Sequence, residues 1–176
     1  MPCSWPRLRR ANRPAPPLLL EGGDLATTLG RPAHRPPGAD GPRTHVTVDI
    51  GAALVDGVLH WFLAHLVVRR SWLRGRVIVV ANAAHLGAWN IAPRAHPGDG
   101  RLDLLDGDLP LGQRLEARNR LRGGTHVPHP GITTRRIDAI QLELSSPTPV
   151  WIDGIDIGRA RTLSVRVEPD AVDVWV

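Results

Sequence analysis

The sequence predicts a mainly β protein, a two-sheet β-sandwich-like domain with one short helix. Three observations predict it. Apolar and polar residues alternate in short runs, as Leu163, Val165 and Val167 do with Ser164, Arg166 and Glu168. Turn pairs such as Asp56-Gly57 and Asp153-Gly154 stand between the runs. Helical spacing of apolar residues is confined to short stretches. A chain of 176 residues then makes one domain with a tail.

Residues 1–20 carry prolines at 2, 6, 14, 16 and 17 among several arginines, a composition that packs poorly and is expected to be disordered. Residues 21–43 read as a junction and loop. Within them 21–30 suits a short helix, capped by Asp24 and ended by Gly30. The sandwich is expected over 44–176. Residues 44–50 alternate, with Val46, Val48 and Ile50 on one face. Asp56-Gly57 turns them into a second apolar run, 58–68, so a hairpin is expected. Residues 76–81 hold Val77-Ile78-Val79-Val80, a buried strand. Residues 82–100 read as a long loop, and 102–105 as a short strand. Residues 111–122 are the best helix, with Leu111 and Leu115 four apart and Gly123-Gly124 as the stop. Strands follow at 137–144 and 150–152. Pro169-Asp170 is expected to turn the chain between the runs 163–167 and 172–176.

Composition removes several function classes. All 22 basic residues are arginine, so no lysine phosphate clamp, Schiff base or lysine general base is possible within this sequence. Cys3 is the only cysteine, which excludes an internal disulfide framework or a cysteine zinc site. Residues 1–43 hold seven arginines against three acids, while 44–176 hold fifteen against fourteen. The excess positive charge therefore lies outside the expected sandwich, which argues against nucleic acid as a partner. No apolar run reaches the roughly 18 residues of a membrane span. Arg9-Arg10 is followed by only Leu18 to Leu20, short of the roughly 7 to 15 apolar residues of a signal peptide. The chain reads as cytoplasmic.

Four places could carry chemistry. In Gly98-Asp99-Gly100-Arg101-Leu102-Asp103, Asp99 and nearby carbonyls could bind a hard cation, or the string is an Asp-Gly turn into a strand. Asp153, after the apolar Val150-Trp151-Ile152, could be a positioned general base, or a hairpin turn residue. His126 and His129 flank Val127-Pro128 and could ligate a metal, together with Asp99, in a hydrolase. The favoured reading is a structural turn that caps the helix ending at Arg122. The glycines of Glu21-Gly22-Gly23-Asp24 precede a helix, where backbone N–H groups can hold phosphate, although no strand is expected before them.

In order along residues 21–176 these strings resemble the diacylglycerol kinase-like lipid kinases, which group with sphingosine kinases and NAD kinases. GGDLATTLG resembles that family's GT-x-NDLARTLG segment. Asp49-Ile50-Gly51 resembles the strand that follows, and VIVVANAAHLG a strand ending in Asn. APRAHPGDGRLD resembles the Ala-Pro…Asp-Gly-x-Leu-Asp motif, and GGTHVPHPGI the turn after the helix. VWIDGI resembles the Asp-Gly-Glu motif, and LSVRVEPDAVDVWV the closing hairpin.

The resemblance implies the C-terminal, β-sandwich half of such a kinase plus a remnant of the junction. It implies Asp153 as the general base that takes a proton from a lipid hydroxyl. It implies Gly23 and Asp24 at the cofactor-binding junction and Asp99 as a ligand of a structural Mg2+. ATP would come only with a partner that supplies the nucleotide domain, since no Gly-Gly-Asp-Gly-Thr string occurs here. Gly23 stands for the Asn of the Asn-Asp pair, Thr27 for the Arg after Leu-Ala, and Ile155 for the Glu of Asp-Gly-Glu. The expected function is the lipid-site half of an ATP-dependent lipid kinase, inactive alone. The alternative is a non-catalytic lipid- or partner-binding module. The arginine-rich tail would add peripheral membrane attraction, about 1 kcal/mol per charge near an anionic surface. Trp61, Trp72 or Trp89 would lie on an apolar patch that wants a partner, unless they belong to the core.

Overall fold

The computed structural model describes residues 17–30 and 43–176. The readings made for residues 1–16 and 31–42 lie outside them. The described residues form β1 (Leu18–Leu19), α1 (Gly23–Thr28), β2 (His45–Val55), β3 (Val58–Phe62), β4 (His65–Arg69) and β5 (Val77–Ala81). There follow β6 (His85–Leu86), β7 (Trp89–Asn90), β8 (Leu102–Gly107), α2 (Leu111–Leu121), β9 (Ile132–Ile137), β10 (Ala139–Ile152) and β11 (Ile155–Trp175). The mainly β, sandwich-like expectation holds, with α1 in the junction and α2 as the one helix of the sandwich among the described residues.

One hydrogen-bonded path runs β3-β2-β11-β10-β4-β5-β8-β9, with β1 added to β11, and β6-β7 form a separate small hairpin. The path closes over its own face. Ala53 and Val55 of β2 share one buried cluster with Val80 of β5 and Leu104 of β8, strands far apart along the path. The bend comes from the long strands β10 and β11, whose pairing shifts register between Glu143 and Thr148. Such irregularities let one strand serve both layers.

Several expected boundaries move. Leu18–Leu19, placed in the unpacked tail, pair in parallel with Val174 and Trp175. They cover the edge of β11 beyond Ala139↔Arg166, where β10 begins. Asp24 does not cap α1. The helix begins after Gly22 with no side-chain cap, and Asp24 sits in its first turn. The run 58–68 is two strands, broken at Leu63-Ala64. Pro169-Asp170 does not turn the chain. It is a bulge within β11, with Asp170 at φ 50 and its N–H bonded to Asp49 Oδ1 at 2.9 Å. The turn at Asp56-Gly57 is as expected. Both residues have positive φ (44 and 86), as a two-residue hairpin of this twist requires. Gly51 answers a different need. A Cβ there would lie 1.9 Å from the Phe62 ring across the β2–β3 pair, so only glycine fits beneath Phe62.

The helix α2 buries an arginine where Leu111 and Leu115 were expected. Leu111 and Leu115 are exposed, while Arg114 is buried. Its guanidinium donates to Leu109 O (2.5 Å), Trp72 O (3.4 Å), Gly75 O and Asp108 Oδ1 (2.9 Å). A buried cation is tolerated when its donors are satisfied, and here they fasten the helix to the 72–75 and 108–109 loops.

Candidate functional site

The strand β4 organises the chemistry. Leu66 and Val68 face the closed core, so His65, Val67 and Arg69 face the other side of the sheet. On that side Trp151 of β10 lies opposite Val67. One end of β4 meets the Asp153 corner and the other reaches a cavity beneath α2. The ends are four residues apart, about 13 Å at strand rise.

At the corner, Asp153 has φ 46 and Gly154 φ 83, the conformation that the Asp-Gly pair favours. The Asp153 carboxylate accepts three backbone N–H groups: Leu63 on Oδ2 (2.8 Å), and Ala64 (2.9 Å) and His65 (2.8 Å) on Oδ1. These bonds hold the break between β3 and β4. A carboxylate offers about four lone-pair sites. Three are occupied, and one on Oδ2 remains at an exposed position.

His65 lies behind the corner with 1% of its side chain exposed. Its Nε2 is 2.9 Å from Ala83 O. A carbonyl only accepts, so Nε2 carries the proton and Nδ1 presents a lone pair. That lone pair faces Asp24 Oδ2 at 3.6 Å. Burial holds the ring below its ordinary pKa of 6.5, against the opposing pull of Asp24. Asp24 Oδ1 accepts the Gly87 N–H at 2.7 Å, and Thr28 Oγ1 accepts those of Ala84 and His85. Gly23 opens the helix at φ 91. Asp24 and Thr28 therefore dock α1 on the 84–87 turn, Gly23 only opens the helix, and Asp24 and Asp153 converge on His65. The short α1 offers too few turns for a phosphate site of its own.

Asp99 lies apart from this corner. Its Oδ1 accepts the Arg101 N–H and its Oδ2 is paired with Arg136. Arg136 stands opposite Asp103 in the β8–β9 pairing. Asp103 is buried, burial pushes its carboxyl pKa up, and its Oδ2 has no hydrogen-bond partner among the described residues. A guanidinium thus stands at the carboxylate where Mg2+ would sit, and the donor set does not fit that ion. His126 is buried, with Nε2 3.1 Å from Ile91 O and its pKa pulled down by burial. His129 Nδ1 accepts the Gly131 N–H. Among the described residues no three His, Cys, Asp or Glu side chains gather as a metal set. The histidine metal centre with Asp99 does not form.

Beneath α2 lies a cavity of about 510 Å³. Val79 and Leu105 form its floor on the sheet, Leu115 and Leu121 its roof, and Trp72 and Trp89 one wall. The two indoles meet edge to face at 5.5 Å. Expected on a bare patch, they instead line this cavity, while Trp61 is half-buried on β3. Arg69 lies between indoles, 4.6 Å from the Trp72 ring centre and 4.1 Å from that of Trp151. Burial lowers its pKa below the ordinary arginine value, and the guanidinium stays charged at neutral pH.

Sequence reasoning missed His65, Asn82 and Arg69. Asn82 is fully buried and donates to Asp49 O and Leu63 O, both at 2.8 Å, tying β2 to the corner. Asp49, also buried, accepts the N–H groups of Gly100 and Asp170. The available signal was a lone polar residue inside or ending an apolar run, as in Phe62-Leu63-Ala64-His65-Leu66-Val67-Val68.

The family described as the YegS C-terminal NAD kinase β-sandwich-like domain matches residues 51–176. Two solved structures of candidate diacylglycerol kinases from Bacillus anthracis str. Sterne share the fold. One is 12% identical with a TM-score of 0.57, the other 11% with 0.56. Each alignment covers 74% of this chain and 57% of the other, so the chain spans little more than half the length of these proteins. No curated protein sequence matches the chain. Among the described residues no helix is long and apolar enough to cross a membrane.

Proposed function

Because the chain belongs to the family of YegS C-terminal NAD kinase β-sandwich-like domains, we propose that it is the lipid-holding half of an ATP-dependent lipid kinase of the diacylglycerol kinase type. The observation that carries the lipid reading is the cavity beneath α2, of ligand size and walled by apolar side chains. The lipid chain occupies this cavity, and the lipid hydroxyl extends along the same sheet face toward Asp153.

Asp153 is fixed by three amide donors and keeps one outward lone pair, the arrangement of a positioned base. Its role is to accept the hydroxyl proton as that oxygen attacks the terminal phosphate. A separate nucleotide-binding segment or polypeptide brings ATP and Mg2+ and meets the corner formed by α1, β4 and the 153–154 turn. Asp24 acts there by docking α1. The domain works at a membrane surface, where its substrate resides.

A second reading has its own support. Ile155, where the resemblance calls for Glu, is 68% exposed. Asp24 and most of Asp153 are committed within the chain. These features favour a lipid-binding module without chemistry.

The test is phosphate transfer from ATP to a lipid extract. It compares the chain alone, the chain with a nucleotide-binding domain of the same family, and Asp153→Asn with that domain. Transfer only in the second arm supports the kinase half. Lipid binding without transfer in any arm selects the module. Transfer by the chain alone refutes the division of labour.

A further inference from the structure

The cavity wall is largely apolar, yet four arginines border it: Arg114 is bonded within the chain and Arg70 donates to Ser146 Oγ, which leaves Arg69 and Arg118. Arg118 on α2 lies 5.8 Å from the Trp89 ring centre, and Arg69 is stacked between Trp72 and Trp151. Among the described residues neither is ion-paired. Asp156 acts on Arg69 only as a more distant charge, and its own Oδ1 accepts the Gly158 N–H. The Nε–H of Arg69 is buried and has no acceptor among the described residues.

Stacking covers the faces of the Arg69 guanidinium and leaves its edge, where all its N–H donors point. A partly desolvated guanidinium with an open edge is costly unless an anion meets it. Arg114 shows what satisfaction looks like in the same wall: its donors reach three carbonyls and a carboxylate. Arg69 has no such set.

We propose that the cavity takes an amphiphile whose apolar chain lies beneath α2 and whose anionic group, a carboxylate or a phosphate, meets Arg69 and Arg118. This rests on the reading of the cavity as a lipid site and narrows it to acidic lipids. Neutral chains fill the same space but leave both guanidinium groups unmatched. Cationic chains are repelled by them.

Fluorescence of the cavity tryptophans provides the readout. The full chain is titrated with palmitate, palmitoyl lysophosphatidate, monopalmitoylglycerol and hexadecyltrimethylammonium, each below its micelle concentration. The acidic probes are expected to bind about tenfold or more tighter than the neutral one, the size of one charge-assisted hydrogen bond. The carboxylate and phosphate arms show which anion the edge prefers. Arg69→Met, which keeps a long side chain between the indoles, is expected to bring the acidic probes down to the neutral level. Arg118→Gln gives a smaller loss in the same direction, and circular dichroism checks that both variants fold. Equal binding of neutral and acidic probes, or no loss in either folded variant, overturns the assignment of charge and leaves the cavity as a lipid site. Binding of no probe at all overturns the lipid reading beneath it.

Discussion

The Asp153 corner and the cavity beneath α2 occupy the two ends of β4 on one face of the sheet, and they use charged side chains in opposite ways. At the corner the carboxylates are taken up by the chain itself. Asp153 holds three amides and Asp24 a fourth. At the cavity Arg69 and Arg118 border apolar walls without an ion pair among the described residues. The difference separates two jobs that motif strings run together. A carboxylate beside a glycine turn can be a joint first and a reactive group second. An arginine that ends an apolar strand without an ion pair can be the better sign of a ligand.

Arg114 tests the cavity end most severely. Its guanidinium fastens α2, which roofs the cavity, through buried bonds. Arg114→Ala removes those donors and leaves buried carbonyls unpaired, at a cost of about 3 kcal/mol in urea unfolding. Chain binding by the tryptophan readout should be lost with it. Retained stability and retained binding would mean that α2 is held by its leucines after all. At the corner, Asp153→Ala releases the break between β3 and β4 and should cost about 2 kcal/mol. Its mark is local. Hydrogen exchange should rise at Leu63, Ala64 and His65 while chain binding at the cavity persists. If binding falls equally, the two ends are one cooperative unit and the division fails.

Acid separates the regions less strongly. His65 sits behind the corner and His126 borders the cavity, and burial holds both rings below their ordinary 6.5. The unfolded chain therefore takes up protons first as the pH falls. Stability is complete above about 6.5 and declines below it, toward and through the depressed folded values. Thermal unfolding between pH 7.5 and 5 should show the decline. His126→Gln should remove part of it, and a flat profile in the native protein would contradict the burial of both rings.

Much of the fold was legible because strand alternation and Asp-Gly turns act locally. The β2–β3 hairpin follows from Asp56-Gly57 and needs nothing distant. What escaped depends on partners far along the chain. The split at Leu63-Ala64 is imposed by Asp153, some ninety residues away. Pro169-Asp170 looks like a turn by composition and becomes a bulge because the buried Asp49 accepts the Asp170 amide. Leu111 and Leu115 have helical spacing, but the loops below present carbonyls, so Arg114 faces inward. At the site, Asp153 and Asp24 were singled out by motif and do meet at His65. The cavity was not visible, since its wall is assembled from 69–79, 89–91, 105–109 and α2.

Asp99 supplies the smallest expected effect and places a third region against the other two. It resembles a metal ligand in sequence, yet Arg136 occupies its open oxygen, and the same guanidinium lies opposite the buried Asp103. One cation thus serves two carboxylates, as a divalent ion would. With that charge already in place, millimolar Mg2+ should leave the unfolding temperature of the native chain unchanged. Arg136→Gln removes the charge and leaves Asp99 without its ion pair and Asp103 with only Arg94 as a more distant cation, which lowers stability modestly at this partly exposed site. In that variant Mg2+ or Ca2+ should restore part of the loss, because oxygen ligands without a guanidinium favour a hard cation. Asp99→Asn in the same background should abolish the restoration. A rise in the native chain on adding Mg2+ would show that Arg136 yields to the metal, and the Asp99 loop would then rank with the cavity as a site left open rather than with the corner as a joint.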